Sequence, residues 1–140
     1  MNKREQQASV PADPTQWSEK SKRSVAFEFV HEYKDIPYTC WHCRKKAVFT
    51  ALDQRYTFEV KKASIDQRRV LCVDCWREAN HISAETKDCE QRWALAKAQL
   101  RTDKAFLTHW LELLVRLESY VPDKPDTARK NMLRSLLNTV

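Results

Sequence analysis

From Cys89 to Val121, apolar or small residues return in alternating steps of four and three. They are Cys89, Trp93, Ala96, Leu100, Leu107, Trp110, Leu114, Leu117 and Val121, with Asp103 the one polar interruption. That spacing places side chains on one face of a helix. It predicts a helical region over residues 81–140, with the pattern setting in at Ser83: a helical hairpin, or a long helix followed by a short one. At Asp103 the helix is expected to break and fold back, with Thr102 as a candidate N-cap. Pro122 and Pro125 end the segment, and Asp126 caps a last helix. Met132, Leu133, Leu136, Leu137 and Val140 form its apolar face.

The first half patterns differently. In "VAFEFVHEY" the residues Val25, Phe27, Phe29, His31 and Tyr33 alternate, as on one face of a strand. In "AVFTALDQRYTFEV", β-branched and aromatic residues flank a polar centre, which predicts a hairpin or strand pair. Residues 25–60 are thus expected to form a small sheet, marginal by itself. Residues 1–24 are polar, contain two prolines and show little periodicity, so they read as a flexible tail. Trp17 stands out there, packing loosely back on the domain or anchoring a partner. The helical segment supplies the other wall of the core, and its stripe leaves enough apolar surface to pair with a second copy.

Two cysteine pairs share one internal gap: Cys40 and Cys43, then Cys72 and Cys75, with 28 residues between the pairs. A C-x2-C loop converges two sulfurs on one ion, and two such loops complete a tetrahedral shell. One structural Zn²⁺ is the expected cofactor, holding residues 40–75 together where the sheet buries little. A four-sulfur shell also suits iron. A filled shell has no position for an activated water. No carboxylate, histidine and nucleophile cluster in the sequence, so no enzyme is expected. The remaining candidates read as ordinary: His42 should point outward from the first loop, His81 would only replace a missing cysteine, Cys89 falls on the helical stripe, and His31 and His109 are isolated.

Composition sharpens this picture. The 140 residues carry a formal net charge of +6, which four thiolates and one Zn²⁺ lower by two. Seven cations flank the cysteine loops: Arg44, Lys45 and Lys46, Lys61 and Lys62, Arg68 and Arg69. With Trp41, Tyr56, Phe58 and Trp76 nearby, they are candidate contacts to nucleic acid or an acidic protein. Glycine is absent altogether. That removes Gly-rich phosphate loops, and with them P-loop and Rossmann readings. It also forces another residue into any turn that needs positive φ, and Arg44 or Lys45 is expected to do so after the first pair. No apolar run is long enough to span a bilayer. The polar opening stretch is no secretory signal, and a cytoplasmic location keeps the thiols reduced.

The stretch "YKDIPYTCWHC…AVFTALDQRYTFEVKKASIDQRRVLCVDC" resembles the bacterial probable zinc-ribbon, treble-clef-like domain family. The resemblance covers residues 33–77 and rests on Asp35, Ile36 and Pro37, Phe49 and Thr50, Gln54, Tyr56, Phe58, Glu59 and Val60, besides the four cysteines. The sequence departs where the family places glycine, with Arg44-Lys45 after the first pair and Ala63 after the central segment. The resemblance implies zinc binding and no defined activity. The expected architecture is therefore α+β: a flexible tail over 1–24, a zinc ribbon or treble clef over 25–80, and a helical region over 81–140. A treble clef, with the second pair entering a helix, fits better because no strand pattern follows Cys75. The expected role is mediation of protein or nucleic-acid contacts. The alternative is an oligomerisation protein using the 83–121 helix.

Overall fold

A computed structural model of the chain describes residues 9–122 and 125–140. Two compact units share these residues. The first comprises residues up to 40 together with 44–72; the second comprises 41–43 and 73–140.

The first unit is built of short pieces. Strand β1 (Val10–Pro11) is followed by a 3-10 turn (Pro14–Gln16), helix α1 (Glu19–Lys22) and helix α2 (Ala26–Phe29). Strands β2 (Glu32–Tyr33), β3 (Ile36–Thr39) and β4 (Lys46–Phe49) come next, then helix α3 (Ala51–Arg55), which widens into a π-type turn over Tyr56–Val60. β1 pairs antiparallel with β2, and β3 with β4, in register Ile36↔Phe49 through Thr39↔Lys46. Val10, Trp17, Tyr33, Phe49, Ala51 and Phe58 form its core.

Three expectations change here. The 1–24 tail does not describe residues 10–24. Val10 pairs with Tyr33, and Trp17, only 2% exposed, donates its indole N–H to the Tyr33 hydroxyl at 2.8 Å. Residues 1–8 lie outside the described residues. The 25–33 strand is a short helix and a two-residue strand. Phe27 packs edge-on to Trp17 while Val25 and Phe29 face solvent, so the alternation marks no common face. The second half of "AVFTALDQRYTFEV" is helical. Thr50 caps it by accepting from the Asp53 N–H, and Ala51, Gln54 and Phe58 turn inward at helical spacing. Only the first three residues of that stretch are strand, as the end of β4 (Lys46–Phe49).

The second unit holds three longer helices: α4 (Val73–Leu100), α5 (Lys104–Glu118) and α6 (Thr127–Thr139). Buried positions on α4 run Cys75, Ala79, Ile82, Thr86, Cys89 and Trp93, again in steps of four and three. The chain breaks where Asp103 interrupts the stripe. The cap is Asp103, which accepts from the Phe106 N–H, and not Thr102. The two helices run antiparallel: Arg92 lies over Phe106 near the turn, while Glu78 pairs with Arg116 at the other end. Asp126 caps α6 as expected, and Leu133 is fully buried. Leu107 and Trp110 are fully enclosed and Leu114 nearly so, so the stripe is the unit's own core. Among the described residues, no helix is long and apolar enough to cross a membrane.

Candidate metal centre

The first cysteine pair sits at the β3–β4 connection. The Cys40 N–H donates to the Lys45 carbonyl at 2.8 Å, and the Arg44 N–H to the Cys40 carbonyl at 3.0 Å. Closing so tight a loop requires a left-handed residue. Arg44 takes that role with φ 64°, one of the two positions expected from the sequence. The second pair lies at the start of α4: Cys72 immediately precedes the helix and Cys75 falls in its first turn.

The four sulfur atoms of Cys40, Cys43, Cys72 and Cys75 lie within 4.8 Å of one another. A tetrahedral zinc thiolate site has sulfur–sulfur edges of about 3.8 Å, so a small contraction about one ion satisfies the shell. Cys40 and Cys75 are buried, whereas Cys43 and Cys72 keep some exposure. The donor set suits a thiophilic ion, and four protein ligands leave no open coordination position. The chemistry suggests structural metal binding.

Polar contacts around this loop come from Tyr38 and from two residues that carried the family resemblance, Asp35 and Gln54. The Tyr38 hydroxyl donates to the Leu71 carbonyl at 2.9 Å, fixing the backbone immediately before Cys72. Burial pushes the Tyr38 phenol above its usual range. Asp35 accepts from the Ala51 N–H at 2.8 Å. Gln54, buried, donates to the carbonyls of Lys34 and Phe49. Those roles were not legible in the sequence; the Thr50-x-x-Asp53 pattern was the available signal for the helix that presents Gln54.

The expected basic contacts divide. Arg69 is engaged internally: it pairs with Asp53 at 2.9 Å, donates to Thr57 and lies 4.0 Å over the Phe49 ring. Lys61 sits over the Tyr56 ring, and the Lys62 ammonium donates to the Gln16 carbonyl. Lys62 also takes a left-handed backbone, φ 59°, next to the Ala63 that stands where the family has glycine. Arg44, Lys45, Lys46 and Arg68 are exposed. Trp76, one of the aromatic residues expected near these cations, is 52% exposed, while Ala79 is buried. The His42 ring stacks on Tyr120 at 3.8 Å, and its Nδ1 lies 3.3 Å from the Ser119 carbonyl.

No curated protein and no solved structure matches the chain. A first cysteine pair in a β-hairpin loop and a second pair entering a helix are the two halves of a treble clef. Consistent with this, residues 34–84 match the family model described as "Probable treble clef domain", so this part of the chain is treble-clef-like.

Proposed function

We propose that Cys40, Cys43, Cys72 and Cys75 hold one structural Zn²⁺, and that the region they organise is a contact module for an anionic partner, nucleic acid or acidic protein. The convergence of four sulfurs carries the metal part of this reading. The run Arg44-Lys45-Lys46, which leaves the first cysteine loop directly, supports the partner part, together with the net charge of +6. Arg69 is better assigned to the fold than to the contact surface, given its ion pair with Asp53.

Metal content measured on purified protein tests the site. Cys43→Ala is expected to lose bound zinc, whereas Cys89→Ala, on the helical stripe, keeps it; equal loss in both would refute the ligand assignment. Filter binding to single-stranded RNA at two salt concentrations tests the surface. A phosphate-contacting face predicts affinity that falls steeply with salt and falls further in Lys45→Glu. Salt-independent binding would remove the nucleic-acid reading.

Assembly through the 83–121 stripe is the weaker alternative. Pairing two copies along Leu107 and Trp110, both fully enclosed, would require the three helices to open first.

A further inference from the structure

On the helical unit, His81 and Glu85 stand one turn apart on α4, and His109 faces them from α5. The His81 Nε2 lies 2.9 Å from one oxygen of the Glu85 carboxylate, and the His109 Nε2 lies 3.8 Å from the other. The three line an open cleft of about 470 Å³, with Asp88, Cys89 and Arg92. None of this was expected of His81 or His109 from the sequence, because the turn after Leu100 is what brings them together.

We propose that His81, Glu85 and His109 form a second metal site, one that takes a divalent first-row transition ion through two imidazole nitrogens and a carboxylate. Around an ion with ligand bonds of about 2.1 Å, neighbouring donors are separated by about 3.0–3.4 Å. The two observed nitrogen–oxygen separations, 2.9 and 3.8 Å, fall just outside that range on either side and end on different oxygens of Glu85, so the His109 side chain has to swing inward to bring the three donors onto one ion. The ligand types are those that suit zinc, copper, nickel and iron, unlike the four-sulfur set.

The backbone holds these donors in place. Each has a buried neighbour that fixes the rotation of its helix: Ile82 beside His81, Thr86 beside Glu85 and Trp110 beside His109. The side chains themselves are 68%, 39% and 56% exposed, which leaves access for the ion and for completing water ligands. Asp88 adds a second negative charge in the cleft. Arg92, the one permanent cation there, is two turns beyond Glu85 and lies over the Phe106 ring at 4.8 Å. Cys89 contributes no thiolate, since burial pushes its thiol up and keeps it protonated.

The test is calorimetric titration of Zn²⁺ into the full chain with its four-cysteine site already loaded. One further equivalent is expected, lost in His81→Gln and in His109→Gln and kept in His31→Gln, whose histidine is exposed elsewhere. Absence of that equivalent overturns the proposal, as does its persistence in both variants or its equal loss in His31→Gln. Co²⁺ supplies a second readout, of ligand type. The extra equivalent should add no sulfur-to-metal charge-transfer absorption, and a thiolate-type band would overturn the assignment.

Discussion

The two units solve the same problem with different materials. The helical unit buries one continuous face, Ile82, Trp93, Leu107, Trp110, Leu113 and Leu133, and its stability comes from apolar area. The first unit has strands of two and four residues and a core cluster of six buried side chains among the described residues. It compensates with directed polar contacts: Gln54 on two carbonyls, Asp35 on a helix N–H, and a fully buried Ser21 accepting from the Ile65 N–H. Area is tolerant of small changes in position. Directed bonds are not, so the two units should fail in different ways.

Metal removal should separate them most. Chelation is expected to abolish amide protection across residues 34–72 while α5 and α6 stay protected. Zinc-dependent folding in small modules is worth roughly 10–16 kcal/mol, as much as the whole stability of a typical domain. A single transition that melts α5 and α6 at the same chelator concentration would erase the distinction. Trp110→Ala is the converse change. It should cost about 3–5 kcal/mol in the helical unit by opening a cavity, with zinc content unchanged; denaturant melts followed by metal analysis would show both.

Tyr33 gives a smaller difference, confined to the first unit. Burial pushes its phenol above the usual range. The folded chain therefore keeps this proton where the unfolded chain releases it. Its contribution is complete below pH ~10 and declines as pH rises further. In alkaline melts Tyr33→Phe should flatten that decline. At neutral pH it should cost about 1–3 kcal/mol, because the buried Trp17 indole loses its acceptor. The smallest expected effect is a gain: Arg44→Gly relieves a left-handed backbone and should raise stability by up to about 1 kcal/mol. A loss there would mean that the arginine side chain matters more to the fold than its backbone does.

How much of this was legible depends on where the determining contacts lie. The sulfur set was legible because C-x2-C encodes its own geometry locally, and the helical stripe because its steps of four and three recur from Cys89 to Val121 with Asp103 the one polar member. The break at Asp103 was visible too, although the capping side chain was one residue further on than Thr102. The 50–60 segment was misread because Tyr56, Thr57, Phe58 and Val60 suit strands, and tertiary burial of Gln54 and Phe58 on one helical face outweighed that preference. Residues 10–24 were misread as tail because their order rests on distant partners: Tyr33 for Val10 and Trp17, Ile65 and Ala63 for Ser21. The expected domain border at 80/81 falls inside α4, which already begins at Val73. The His81–Glu85–His109 cluster had no local signature, since the third member arrives only with the helical turn.

The absence of glycine reaches beyond its two strained positions. A chain of ordinary composition and this length would carry about ten glycines. Each one widens the range of conformations open to the denatured polypeptide, by roughly 0.4–1 kcal/mol relative to alanine. Ten such positions together amount to roughly 4–10 kcal/mol, set against about 1–2 kcal/mol of strain at each of Arg44 and Lys62. The disordered form of this molecule is therefore unusually restricted before any native contact forms, and less entropy is surrendered when it orders.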